Sequence, residues 1–284
     1  MSRPSVSFRP GLIGAIVLAS LVVAPTNATA SSMTTTSGDV SATFTYSGTF
    51  PQSRDARLTI TRAGTLVSDV AVSSKWCGHQ CWPDSLSPGR TVLHVVRLSQ
   101  HGPLDVVLDL YSGGAHCCTV EQVFAFDASS GRYQKFEYEF GDPVARLEAL
   151  GKGGSDVFVS ADDRFAYAFT DYAGSGMPIE ILSFSRNAFH NVTRSFPKLI
   201  AHDAAQWRSA FDSSATSHYG DTVGLAAAWA ADEDMLGHFR SVQKFLRLEL
   251  RAGHLNSALS PIEPGGQKFI AALQRFLSQR GYRP

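Results

Sequence analysis

The first two thirds of the chain alternate short apolar runs with turn residues, which is typical of antiparallel strands. Val40–Tyr46 alternates apolar with small polar residues, and Arg57–Arg62 and Thr65–Val70 flank the turn Ala63-Gly64. Further β-rich runs are separated by turns with glycine or proline, and they cover residues 90–98, 104–111, 120–127, 133–140, 156–160, 165–170 and 179–184. This array predicts a β-rich domain over residues 40–200.

A helical pattern replaces the strand pattern from about Lys198. Residues 201–211 form one candidate helix, and apolar residues recur at steps of three and four between Leu236 and Leu250, before Gly253. Lys268–Gln279 repeats that pattern. These stripes predict helices that pack against the sheets or each other. We therefore predict an α+β protein, a mainly antiparallel β array followed by a helical region over residues 201–284.

One segment of the β region occurs twice. Arg97-Leu98 followed by Asp105–Leu108 resembles Arg146-Leu147 followed by Asp156–Val159, about 50 residues further on. Repeats of this length are typical of propeller blades or related stacked arrays. Two copies cannot close a ring, so either the N-terminal strands complete the array or it stays open.

The first thirty residues predict a cleaved secretory signal. Arg3 and Arg9 precede the apolar run Leu12–Ala24, and Ala28-Thr29-Ala30 fits a signal-peptidase site. The run is shorter than the about 20 apolar residues that cross a bilayer, although an uncleaved anchor is the alternative. Residues 31–39 are predicted to be a flexible linker. We expect a secreted or extracytoplasmic protein, in the periplasm or cell envelope, with no transmembrane span after cleavage.

Composition and charge exclude some classes of function. Hydrophobic residues make up 44% of the 284 positions, as in globular proteins, and 25 basic residues balance 25 acidic ones. A neutral chain has no electrostatic basis for binding nucleic acid, which needs a basic surface.

Four cysteines occur in two clusters, Cys77 with Cys81 and Cys117 with Cys118. In an exported chain an even number of cysteines favours disulfides, and four allow three pairings. Neighbouring Cα atoms lie about 3.8 Å apart, whereas disulfides prefer about 5.5 Å. We therefore expect Cys77 and Cys81 each to bond to one member of the adjacent pair.

A metal site is the alternative for the same clusters. Cys77, His79, Cys81 and His116 offer sulfur and imidazole ligands suited to zinc or copper. The spacing differs from that of standard zinc fingers, so disulfides are preferred and no metal is expected.

The block Leu108–Cys118, which contains Gly-Gly-Ala-His-Cys-Cys, together with Phe126–Tyr133 and Ala161–Phe169, resembles uncharacterised secreted bacterial proteins with degenerate FG-GAP/VCBS repeats. The resemblance covers about residues 75 to 200 and implies export and an architecture like the integrin-α propeller. Such repeats bind calcium through an Asp-rich loop. The equivalent segments here, Leu98–Asp105 and Leu147–Asp156, lack those acidic ligands, so we expect no calcium cofactor.

Catalytic motifs give little support for an enzyme. Ser175 lies in Ala-Gly-Ser-Gly-Met, which lacks the outer glycines of the Gly-x-Ser-x-Gly nucleophile elbow. Asp162, Asp163 and Asp171 could serve glycosidic acid–base chemistry. Adjacent aspartates on a strand point to opposite faces, however, so a turn or helix-cap role is preferred. The acidic run Asp232–Asp234 is interpreted as charge at the N-terminus of a helix or as a solvated face, and not as a metal site.

These observations favour a non-enzymatic, disulfide-stabilised binding protein of the cell envelope or extracellular space, with a protein or glycan as its ligand. The candidate surface combines Tyr111 and His116 with Asp171 and Tyr172, because both turn-rich segments carry aromatic residues. The alternatives are a metal-dependent or cell-wall-active hydrolase, and a structural envelope protein without a ligand.

Overall fold

A computed structural model describes residues 30–84, 90–217, 221–256 and 265–283. This part of the chain contains thirteen strands followed by four α-helices, which confirms the predicted α+β class. The strands are β1 Ser31–Ser37, β2 Val40–Thr49, β3 Gln52–Arg62, β4 Thr65–Ala71, β5 Trp82–Pro83, β6 Leu93–Val96, β7 Asp105–Gly114, β8 Cys117–Asp127, β9 Arg132–Gly141, β10 Arg146–Glu148, β11 Val157–Ala161, β12 Ile179–Ser185 and β13 Ala188–Asn191. The helices are α1 Pro197–Ala215, α2 Val223–Met235, α3 Phe239–Ala252 and α4 Gly266–Gln279.

The strands form three antiparallel sheets that follow the order of the chain. The first contains β1 to β4, the second contains β5, β7, β8 and β9 with β6 also paired to β7, and the third contains β10 to β13. Short turns produce this order. Ala63 and Gly64 both have positive φ, at 47° and 77°, as type I′ hairpin turns require. The predicted hairpin between β3 and β4 is therefore confirmed.

The second sheet is the middle layer and is buried on both faces. Side chains alternate along β8, so Val120 and Phe124 pack toward the first sheet, whereas Val123 and Ala125 pack toward the third. This two-sided burial explains why β8 is apolar at most positions rather than at every second one. The described strands stack as layers and form no closed barrel.

The internal repeat corresponds to the second and third sheets. Asp105 begins β7, and Asp156 immediately precedes β11, the equivalent strand of the next sheet. Each carboxylate accepts backbone N–H groups, Asp105 from Leu98 and Phe126 and Asp156 from Arg97. Burial raises the pKa of Asp105 to about 6. In both copies the aspartate thus satisfies backbone donors at the start of a strand.

Two segments differ from the sequence prediction. The sequence predicts a flexible linker at residues 31–39, but the structure has strand β1 at Ser31–Ser37. This strand pairs with β2 along its whole length, from Ser31 opposite Tyr46 to Ser37 opposite Val40. Its polar residues are compatible with an outer strand, and Met33 packs on the core.

Residues 1–29, which include most of the predicted signal, lie outside the described residues.

The predicted strand at residues 165–170 is also wrong. A 3₁₀ turn, Asp163–Phe165, is followed there by a loop. Phe165 and Phe169 are buried in the helical core, where Phe276 packs against both rings. Their apolar pattern therefore reflects contact with helices.

The helical region is built around α2, which is buried almost all round. Its small residues Ala226, Ala227, Ala230 and Ala231 allow neighbouring helices to approach closely. A helix without a polar face has no amphipathic stripe, which is why the sequence pattern did not predict it. The predicted stripes of α3 and α4 are confirmed, and Gly253 ends α3 with a φ of 81°.

Asp232 and Asp234 contradict the interpretation as solvated or N-terminal helix charge. Both lie near the C-terminal end of α2 and are fully buried. Asp234 forms an ion pair with Arg283, and Asp232 interacts with Asp203 of α1. Asp203 itself accepts hydrogen bonds from Ile179 N and Trp207 Nε1, both at 2.9 Å. Burial, with the nearby Asp203, raises the pKa of Asp232 to about 10.

The disulfides join Cys77 to Cys81 and Cys117 to Cys118, so the expected bonds between the clusters are wrong. The clusters occupy different parts of the fold. Cys81 is buried in the core between the first two sheets, whereas Cys117 and Cys118 begin β8 at the end of a hairpin. Each pair therefore closes a local turn.

We predict that a non-reducing tryptic digest separates the two cysteine clusters. Trypsin can cut after Arg90 and Arg97, which lie between them. Mass spectrometry should then find two unlinked peptides, each two hydrogens lighter than its reduced form. A single cross-linked species that falls apart on reduction would contradict the local pairing.

We also predict that Asp232→Asn stabilises the protein at pH 8 more than at pH 5. The folded chain keeps a proton on Asp232 up to a pKa of about 10, whereas the unfolded chain releases it near about 4, so stability falls as the pH rises between these values. Asparagine is neutral at every pH, so it carries no such dependence. The melting temperature should rise by about 3 °C or more at pH 8.

The control for this substitution is Asp212→Asn on α1, where the side chain is exposed. This substitution should not raise the melting temperature more at pH 8 than at pH 5. Equal effects of the two substitutions at pH 8 would show that Asp232 is not held protonated.

Candidate functional site

The hairpin between β7 and β8 is closed by hydrogen bonds through one side chain. Ser112 Oγ donates to Cys117 O at 2.8 Å and accepts from Cys118 N at 2.6 Å. Gly113 has a φ of 85°, and a Cβ there would lie 2.8 Å from Pro51 Cβ. The Gly-Gly-Ala-His-Cys-Cys segment thus forms a tight turn that places His116 in solvent.

His116, Tyr167 and Tyr172 form an aromatic cluster at this turn. The ring centroids of His116 and Tyr172 lie 3.9 Å apart, those of Tyr167 and Tyr172 5.6 Å apart, and those of His116 and Tyr167 6.3 Å apart. Tyr167 is 58% exposed, so the cluster presents an open aromatic surface. Two turns distant in sequence meet here.

Asp142, which follows β9, fixes the position of Tyr172. The Tyr172 hydroxyl donates a hydrogen bond to Asp142 Oδ2. Burial and this bond raise the pKa of Tyr172, so the phenol stays protonated. The Asp142 backbone N–H in turn donates to Asp163 Oδ1 at 3.1 Å. This approach requires glycine at position 141, because a Cβ there would lie 2.0 Å from Asp163 Cγ.

Tyr111 belongs to a second group of aromatic residues beside the cluster. Its ring stacks parallel to Phe50 with centroids 6.3 Å apart, and Phe50 meets Trp82 edge-on at 5.9 Å. Phe50 is 49% exposed. Burial raises the pKa of Tyr111, and the charges of Asp142 and Asp84 add to this increase. Asp142 therefore acts on both Tyr111 and Tyr172.

Asp171 does not join the aromatic cluster through its side chain. Its carboxylate accepts the Gly174 N–H at 2.8 Å and its carbonyl accepts the Ser175 hydroxyl at 2.8 Å. Ser175 Oγ also accepts the Tyr167 N–H at 3.0 Å. Asp171 thus shapes the loop that carries Tyr167 and Tyr172.

A buried polar group lies on the second sheet near Tyr111. Arg90 Nη2 contacts Asp84 at 3.2 Å and Asp109 at 3.1 Å, and Asp109 is directly opposite Glu121 in the β7–β8 register. Burial, together with Asp109, raises the pKa of Glu121 well above its usual range. This shift favours the neutral, protonated form of Glu121 beside Asp109.

The cysteines of the alternative metal site are in a disulfide and so cannot act as thiolate ligands. Cys77 and Cys81 are bonded to each other, and His79 is exposed on the same turn. Among the described residues, one group of three potential ligands lies within 4.8 Å, namely Cys117, Cys118 and Glu139. Both sulfur atoms of that group are also in a disulfide.

Asp162 and Asp163 have the structural roles that the sequence favoured. Asp162 caps the 3₁₀ turn by accepting the Arg164 N–H at 3.0 Å, and it is 2% exposed. Its carboxylate also binds the Arg164 guanidinium and the Tyr282 hydroxyl. Since these donors occupy Asp162, and Asp163 holds the Asp142 N–H, the two carboxylates are not a free catalytic pair.

The sequence pattern names Tyr111, His116 and Tyr172 as candidates but not Tyr167, Asp142 and Phe50, which the structure places beside them. Tyr167 has a positive φ of 58° in a segment predicted as a strand, and no local pattern marks it as exposed. Asp142 follows Gly141, but nothing nearby in sequence indicates its bond to a tyrosine 30 residues away.

Comparisons with known proteins show a partial similarity to one curated protein's sequence and no match to a family or a structure. No protein-family model and no solved structure matches the chain. A probable thylakoid lumen protein of Synechocystis sp. is 28% identical over 151 residues, which are 51% of this chain and 44% of that protein. The chain thus covers less than half the length of this relative. None of the described helices is long and apolar enough to cross a membrane.

Proposed function

We propose that the protein is an extracytoplasmic, non-enzymatic binding protein whose ligand is a glycan. The observation that carries this proposal is the exposed aromatic cluster of His116, Tyr167 and Tyr172, with Tyr111 and Phe50 beside it. Sugar rings stack their C–H faces on aromatic rings, and nearby polar groups bond to their hydroxyls. Asp142, whose carboxylate bonds to the Tyr172 hydroxyl, supplies such a polar group at this surface.

Three observations support an extracytoplasmic location. The N-terminal sequence predicts a signal peptide. All four cysteines are in disulfides, which persist in oxidising compartments. The similar Synechocystis protein is described by its name as lumenal, and the thylakoid lumen is separated from the cytoplasm by a membrane.

Binding is favoured over hydrolysis because the candidate acid–base groups already have partners. Asp162 is held by Arg164 and Tyr282, Asp163 by the Asp142 N–H and Asp171 by the Gly174 N–H. The aromatic surface is instead open to solvent. A rigid, exposed aromatic surface on loops is a common arrangement for recognition.

The proposal predicts that Tyr172→Ala weakens binding to insoluble peptidoglycan, the glycan used as the first probe, whereas Tyr172→Phe retains most of it. Alanine removes the ring, but phenylalanine removes only the hydroxyl bonded to Asp142. One aromatic contact is worth about 0.5–1.5 kcal/mol, so retention in a sedimentation assay should fall about two- to tenfold. Tyr111→Ala should act in the same direction.

The matched control is Leu66→Ala on β4, because Leu66 is 58% exposed, as Tyr167 is. It should leave retention unchanged, and circular dichroism should show that all variants are folded. The same variants are then compared on a printed panel of polysaccharides. If the wild-type protein binds none of these glycans, or if Tyr172→Ala binds as well as wild type, the aromatic cluster is not a glycan site.

A further inference from the structure

A cavity of about 590 Å³ lies where the third sheet meets the helices. Glu180 of β12 and Asn191 of β13 line it on the sheet side, and Arg280 and Tyr282 line it after α4. Arg194, in the 3₁₀ turn that precedes α1, contributes to the same wall. Cavities of this size at the junction of two structural units are typical of small-molecule sites.

The inner wall of this cavity contains hydrogen-bonding groups held in fixed positions. Glu180 is 8% exposed, and Asn191 Nδ2 donates to its Oε1 at 3.1 Å. Tyr138 lines the cavity beside them, and its ring is held between Phe140 and Phe189 at 4.8 and 5.2 Å. A carboxyl group, an amide and a phenol together can accept from and donate to the hydroxyls of a ligand.

The outer wall of the cavity is positively charged. Arg280 is exposed, its guanidinium lies 5.4 Å from the centre of the Phe276 ring, and it has no ion pair within the described residues. Arg194 is held by Met235 O, Gly281 O and Tyr282 O at 2.8 to 3.0 Å. Asp234 is the carboxylate close to Arg194, and it is already paired with Arg283. The cavity thus has more positive than negative charge at its mouth.

We propose that this cavity binds a small hydroxylated carboxylic acid of the sugar-acid class. Arg280 binds the carboxylate, which the charge of Arg194 also attracts, and Glu180 and Tyr138 bond to the hydroxyls. Guanidinium groups suit carboxylates because they offer paired N–H donors and a permanent charge. The site shares no residue with the aromatic cluster, so it does not depend on the proposed glycan surface.

Glu180 makes the affinity depend on pH. Burial and the charge of Asp162 raise its pKa to about 7, although Arg164 and the bond from Asn191 lower it. Tyr138 and Tyr282 also lie close by and remain protonated, because burial raises their pKa values. When Glu180 ionises it repels the ligand's carboxylate, so affinity should fall as the pH rises through 7.

The test is calorimetric titration of the mature protein with sodium glucuronate at pH 6. We expect saturable binding that Arg280→Ala weakens about tenfold, the effect of losing one charge-assisted contact. The matched control is Arg275→Ala, because Arg275 is an exposed arginine of α4 outside the cavity, and this variant should bind as wild type does. Glucose has the hydroxyls without the carboxylate, and acetate has the carboxylate without the hydroxyls. Each should bind at least about tenfold more weakly than glucuronate.

Glu180→Gln gives a second readout that does not depend on Arg280. Glutamine is neutral at every pH, so the affinity of this variant for glucuronate should stay constant between pH 6 and pH 8, whereas that of wild type falls. Tyr172→Ala should leave glucuronate binding unchanged, which separates this site from the glycan surface. The proposal is overturned if wild type shows no saturable binding, if acetate or phosphate binds as well, or if Arg275→Ala weakens binding as much as Arg280→Ala.

Discussion

The buried carboxylate of Asp162 connects the two halves of the protein. It accepts the Arg164 N–H, the Arg164 guanidinium and the hydroxyl of Tyr282, a residue 120 positions further along the chain. A buried charge without partners is costly, so the end of β11 and the C-terminal residues must stay together to satisfy it. Arg194 strengthens the same junction by donating hydrogen bonds to the carbonyl of Met235, the last residue of α2, and to that of Gly281 after α4. The shape of the neighbouring cavity depends on these contacts.

The middle sheet sets a second constraint, because both of its faces are covered. Its apolar residues divide between two cores, but the face toward the third sheet also carries Asp109 and Glu121. Two carboxyl groups can be buried opposite each other only if one of them is protonated or paired. Here Arg90 pairs with Asp109, and burial beside Asp109 raises the pKa of Glu121 well above its usual range. The polar group therefore lies inside the stack of sheets near Tyr111, at the edge of the aromatic surface.

The aromatic surface illustrates how turns from separate sheets produce a site. His116 is at the tip of the β7–β8 hairpin of the second sheet, whereas Tyr172 lies in the loop between β11 and β12 of the third. Because the sheets are stacked, the two turns meet at one end, and Asp142 bonds to Tyr172 across the gap. Stacked sheets with rigid turns can carry recognition residues without moving the core.

The sequence by itself determined the α+β class, most strands, the stripes of α3 and α4, and the turn role of Asp162, because alternation, helical spacing and turn residues act over a few positions. It also indicated Tyr111, His116 and Tyr172 as candidate binding residues, because they lie in or beside segments rich in turn residues. Only the tertiary structure decided the pairing of the cysteines, the burial of α2 with Asp232, and the positions of Tyr167 and Glu180. These features depend on which distant segments pack together, and burial, rather than residue type, sets the protonation of their carboxyl groups.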